Sequence, residues 1–127
     1  MKILHLSLKA KWYRMIESGE KPEEYREIKH YWAFRLYECF DKKQRKICKE
    51  MAKTHPDGIT CNKCSLAKRI PYERVTFSLG YPKADDALRH MTFEYRGLSC
   101  GKGRPEFGAP VDRAVFIIKL GERIDGK

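Results

Sequence analysis

The sequence predicts an α+β fold, a small and mostly antiparallel β-barrel with helices packed on one side. Three observations predict it: an alternating run at Leu4, Leu6 and Leu8, helical patterns before residue 54, and three strand-like runs after residue 73. Strands that bracket helices and then follow one another suit such a barrel. A chain of 127 residues is the size of one domain, with room for a core that needs no disulfides. Hydrophobic residues at 42% and aromatics at 12% argue against wholesale disorder despite the charge.

Each element has its own signal. Lys2 to Leu8 alternates and reads as a half-buried strand. Lys9 to Ser18 reads as a helix whose apolar stripe is Trp12, Met15 and Ile16, with Lys9, Lys11 and Arg14 towards solvent; Trp12 is first of all a core residue. Gly19 ends that helix through a positive φ, Pro22 cannot continue it, and a strand starts near Glu23. Extended chain there puts Glu24, Arg26 and Ile28 on one face and Glu23, Tyr25 and Glu27 on the other. His30 to Phe40 is too dense in aromatics for a strand and predicts a helix buried on more than one side. It continues into a solvated basic helix over Asp41 to Lys53, whose apolar edge is Ile47 and Met51, ending at Thr54-His55-Pro56-Asp57-Gly58. Arg74 to Tyr81 and Leu88 to Cys100 read as strands about a turn at Lys83 to Asp86, with Met91, Phe93 and Tyr95 on one face of the second. Gly101 to Pro110 reads as an ordered or semi-ordered loop and Ala114 to Ile124 as the last strand; the chain shows no internal repeat.

Lys and Arg number 27 against 17 Asp and Glu, a formal charge of +10. Residues 41 to 74 hold 10 of the cations and only four of the anions. Such an excess predicts an anionic partner, because each neutralised phosphate releases condensed counterions. Nucleic acid fits better than a membrane, since no broad apolar helical face accompanies the basic residues and no lipidation motif is present. No stretch approaches the roughly 18 apolar residues of a membrane span, and no signal-peptide core follows Met1, so the expected location is cytoplasmic. Five cysteines in such a chain predict reduced thiols or metal ligands rather than a disulfide framework.

Several clusters carry chemistry. Ser18 to Glu27 packs both signs of charge around a turn, where Lys21, Glu24 and Arg26 can converge; solvated surface charge is the plain alternative. Lys21 suits a phosphate contact or, desolvated, a base, while a neighbouring Glu24 favours the ammonium and Arg26 can hold Glu24 by a bidentate pair. Tyr25, Tyr31 and Trp32 are candidates for stacking on a base, with core packing the default. Lys102 and Arg104 in Gly101-Lys102-Gly103-Arg104-Pro105 place cations beside unobstructed amides that suit a phosphate. Cys61 and Cys64 form a CxxC knuckle, which with Cys48 and His55, or Cys39 as a substitute, would hold a structural zinc; unliganded thiols are the alternative. Cys100 reads as a buried strand residue.

The run Gly19-x-Lys21-x-x-Glu24-x-Arg26 resembles the GxKxxExR signature of the ASCH domain, a family within the PUA-like superfamily. Leu4-x-Leu6 and Trp12 to Ile16 before it, Tyr31-Trp32 after it, and Gly101 to Pro110 with Val115 to Leu120 near the end extend the resemblance. It covers most of the chain except roughly 41 to 69, which reads as a basic, cysteine-containing insertion in a single domain over 1–127. The resemblance implies a compact barrel with a helix leaning over a cleft that bears the signature, and RNA or nucleotide binding there. It implies no required cofactor. Some members are similar to amidohydrolases of N4-acetylcytidine that use a lysine, a threonine and a glutamate. Lys21 matches the lysine and Glu94 the glutamate, but Glu24 stands at the threonine position, so a catalytic set would be Lys21, Glu24 and Glu94 without the hydroxyl nucleophile. Binding of RNA or a nucleotide is the leading reading. A hydrolase acting on a modified nucleoside or RNA comes second, and a domain docking an acidic protein third.

Overall fold

Alternation in the first strand lays down one wall of the core. The computed structural model describes residues 2–39, 42–55, 67–80 and 89–125, and the chain divides into two compact units, Met1–Tyr25 with Pro71–Lys127, and Arg26–Ile70. In the first unit, β1 (Ile3–Leu8) buries Leu4, Leu6 and Leu8 and turns Ile3, His5 and Ser7 the other way. It pairs in parallel with β5 (Arg74–Leu79), so that Leu4 lies beside Val75 and Leu6 beside Phe77. β5 pairs antiparallel with β6 (His90–Gly101), which continues the same rows with Phe93 and Met91. The Phe77 and Phe93 rings meet edge-on, with centroids 6.0 Å apart. β6 pairs antiparallel with β7 (Val115–Arg123), in which Val115, Phe116, Ile117 and Ile118 are all buried. The five-stranded order is β1-β5-β6-β7-β2, with β2 (Glu23–Glu27) at the far edge.

The fold is α+β, as the sequence predicts, with three α-helices among the described residues and a mixed five-stranded sheet curled as a half-barrel. The parallel β1–β5 pair is the exception in a sheet expected to be mostly antiparallel. Most of the chain lies between those two strands, which gives room for the long crossover a parallel pair requires. A second departure lies in β6. Met91 and Phe93 are buried on odd positions, but Leu98 is buried on an even one. Register shifts on both sides of Tyr95 change the phase there, which strict alternation from Leu88 to Cys100 does not anticipate.

The helix α1 (Ala10–Glu17) ends at Ser18, and Gly19 takes φ +86°, a left-handed conformation that the missing Cβ permits. Its core-facing residues are Tyr13 and Ile16, while Trp12 and Met15 are half-buried, so the apolar stripe is rotated by one residue from the expected one. The N–H of Lys21 donates back to the Met15 carbonyl at 3.0 Å, which closes the turn and delivers the chain to β2.

The second unit is built differently. α2 (His30–Leu36) packs on α3 (Lys42–Thr54), and β3 (Tyr37–Cys39) pairs antiparallel with β4 (Ala67–Arg69). The expected single helix over His30 to Phe40 therefore stops at Leu36. Tyr37 is extended at φ −124°, ψ 148°, because the ladder with β4 and the Ile70 N–H on the Leu36 carbonyl supply its strand partners. Among the described residues only Leu36 and Ala52 are fully buried in this unit. On α3 the packed edge is Cys48, Met51 and Ala52, while the expected edge residue Ile47 is 55% exposed. Among the described residues no helix is long and apolar enough to cross a membrane.

Candidate functional site

The turn after α1 points a lysine inward. Lys21 and Glu24 are the two buried charged residues among those described, and Lys21 Nζ donates to Glu24 Oε1 at 2.7 Å. Their side chains are 2% and 6% exposed, so this ion pair is withdrawn from water. The ammonium also lies 4.6 Å from the Trp12 ring centroid and 5.5 Å from that of Tyr25, so its remaining N–H groups meet π faces. Lys11 approaches the same Trp12 ring at 4.7 Å. Trp12 thus joins a charge site instead of the core proper. Of the three residues expected to converge, Lys21, Glu24 and Arg26, the first two meet directly, and they do so in the interior.

Tyr25 is the hub on the other side. Its O–H donates to Glu23 Oε2 at 2.6 Å and accepts the Arg104 backbone N–H at 3.1 Å. Burial pushes this phenol up to about 12; the Glu23 carboxylate acts in the same direction and the Arg104 amide opposes it. The loop that supplies Arg104 runs from β6 through a 3-10 turn (Pro105–Phe107), anchored by buried Phe107 and Ala109. Two glycines let it lie against the aromatic pair. A Cβ at Gly103 would stand 2.7 Å from Tyr25 Cε1, and one at Gly108 would stand 2.9 Å from Trp12 Cζ2. Lys102 and Arg104 keep exposed side chains, but the Arg104 amide is committed to Tyr25 and so is withdrawn from the phosphate cradle suggested by the sequence.

Glu94, on β6, forms an ion pair with Arg96 Nη2 at 2.9 Å and is 39% exposed on its side chain. Lys21 and Glu94 therefore each belong to a separate pair. Arg26 falls in the second unit, where its guanidinium carbon lies 4.7 Å from the Trp32 ring centroid. Arg35 approaches the same ring at 5.2 Å and Tyr31 at 5.7 Å, and the Tyr31 and Trp32 rings meet edge-on with centroids 4.7 Å apart. Sequence reasoning missed Arg35. Its spacing from Tyr31 and Trp32, four and three residues on a helix, is the signal that would have found it.

Cys48 lies midway along α3 and His55 just past its end, seven residues apart, with Cys48 half-buried and His55 exposed. The His55 Nδ1 and Thr54 Oγ1 are 2.9 Å apart. Cys61 and Cys64 lie outside the described residues. Among the described residues no three His, Cys, Asp or Glu side chains are grouped to hold a metal ion. Cys100 is exposed on its strand, against the expectation of burial. No family model matches the chain, and no curated protein or solved structure matches it either.

A buried pair of this kind costs most when half of it is removed, because the surviving charge keeps its desolvation penalty and loses its partner. Lys21→Met is expected to lower stability by about 3–5 kcal/mol in urea denaturation, and Lys21→Met with Glu24→Leu to regain most of that loss. A single variant as stable as the wild type would show that the pair is not held from water. Tyr25 makes a second, independent expectation. Its folded-state pKa lies above the ordinary value near 10, so the unfolded chain ionises first and stability declines as pH rises from about 10 to about 12. A tyrosinate titration by ultraviolet absorbance should show a late component near pH 12 that Tyr25→Phe removes.

Proposed function

We propose that the chain is an ASCH-like, PUA-like cytoplasmic protein that binds RNA or a nucleotide. The observation that carries the reading is the surface of α3, where Lys43, Arg45, Lys46, Lys49 and Lys53 are all exposed. The region Arg26–Ile70 holds 12 Lys and Arg against five Asp and Glu. Arg45 has a loose surface pair with Glu38 at 3.9 Å, which is worth little. Lys46, Lys49 and Lys53 have no acidic partner among the described residues. A helix that repels itself in this way gains from a polyanion that replaces its counterions. The resemblance at Gly19 to Arg26 and at Gly101 to Pro110 supports the same class of ligand.

Hydrolysis is the weaker reading. It would require Lys21 and Glu94 to act on one bond, whereas each is engaged in a separate ion pair, and Glu24 replaces the hydroxyl nucleophile. The Lys21–Glu24 pair serves here as an internal fastener that sets β2 and the loop against α1.

A structural zinc at the Cys61 and Cys64 knuckle belongs to the same proposal. Residues 48 and 55 are separated by roughly 10 Å along a helix, so one ion would take one of them readily and not both. Purified protein should then contain about one equivalent of zinc, lost in Cys61→Ser, by elemental analysis. Metal-free wild type purified without chelator would remove the site. For the binding itself, replacing Lys46, Lys49 and Lys53 by Gln should weaken RNA affinity and shallow its salt dependence by up to about 2 units of slope, at about 0.7 per phosphate contact. Fluorescence anisotropy across a salt series measures this, and an unchanged slope would place the contacts elsewhere.

A further inference from the structure

We infer that Tyr31 is a stacking platform for an unpaired nucleobase, which makes the ligand a single strand and not a duplex. The inference rests on the binding reading above and adds where, and in what state, the nucleic acid is held. Its basis lies within the second unit alone. Along α2, Tyr31, Trp32 and Arg35 occupy positions i, i+1 and i+4, which brings Arg35 against both rings. Arg26 adds a second guanidinium at Trp32. Trp32 is half-buried with two guanidinium groups near its ring, and the Tyr31 ring is near-perpendicular to it, with Arg35 Nη1 3.4 Å from the Tyr31 hydroxyl.

Tyr31 is the outer member of this group and is 39% exposed. Its ring packs near-perpendicular to Trp32, its hydroxyl accepts from Arg35 Nη1, and the same guanidinium's carbon lies 5.7 Å from its centroid, so little freedom is lost when a base lies on it. Preorganisation of this kind is what turns an exposed aromatic into a site. The guanidinium groups add positive charge where the phosphates flanking a stacked base would pass. α3 packs against α2 and carries the exposed lysines, so backbone contacts and the base platform share one unit. A base within a duplex already has both faces stacked on its neighbours and offers none to Tyr31. RNA and single-stranded DNA present closely similar π faces, and the 2′-hydroxyl and the thymine methyl group are what separate them here.

The test uses the full chain with four probes: a ten-nucleotide RNA, the same sequence as DNA, the matched RNA duplex, and heparin as a polyanion without bases. Tyr31→Leu keeps bulk and helix propensity but removes the ring, and Tyr31→Phe keeps the ring. Tyr31→Leu should lower affinity for both single strands by on the order of 10- to 100-fold, while Tyr31→Phe stays near wild type. Heparin binding and the salt slope should not change in Tyr31→Leu, because no cation is removed; they also report that the variant is folded. Duplex should bind more weakly than single strand to wild type, and Tyr31→Leu should erase that difference. Single-strand affinity unchanged in Tyr31→Leu, or duplex bound as tightly as single strand by wild type, would overturn the platform even where the lysine variants confirm charge-driven binding. Absence of binding to every probe would instead overturn the RNA reading itself.

Discussion

The first unit depends on a charge that cannot reach water. Lys21 and Glu24 are packed so closely that each needs the other, and the aromatic faces of Trp12 and Tyr25 complete the shell around the ammonium. The desolvation penalty of an isolated buried ion is several kcal/mol, which makes the geometry of its neighbours exacting. Trp12 comes from α1, Lys21 from the turn, Glu24 and Tyr25 from β2, and the Gly101–Pro110 loop closes on the two rings. The contiguous run from α1 to β2 and a loop far along the chain are thereby brought to one point. Gly103 and Gly108 belong to this constraint as much as the charged residues do, since a methyl group at either would meet a ring edge.

The second unit solves a different problem. Its interior is thin, with Leu36 and Ala52 as the fully buried members among the described residues, and its charges face outward. Arginines resting on aromatic rings offset part of that deficit, because the planar guanidinium is weakly hydrated and covers apolar surface while it keeps its charge. The short β3–β4 ladder adds backbone hydrogen bonds that demand no apolar side chains. A surface this rich in exposed lysine carries an electrostatic cost through self-repulsion.

Local periodicity determined much of the architecture. The alternation of Leu4, Leu6 and Leu8, the glycine stop at Gly19, the strands near residues 74, 90 and 115 and the helix over residues 42–54 all follow from patterns within one element, and each was legible in the sequence. The proximity of Lys21 and Glu24 was legible for the same reason, since three residues separate them across a turn. What local pattern does not contain is pairing at a distance. The parallel β1–β5 register, the strand at Tyr37 set by partners near Arg69, the phase change at Tyr95 and the closure of Gly103 and Gly108 on Tyr25 and Trp12 depend on contacts between residues far apart in the chain. Burial was decided in the same way. A charged pair beside a turn is ordinarily solvated, and only the tertiary arrangement of two rings and a loop around Lys21 excludes the water that would otherwise have kept it at the surface.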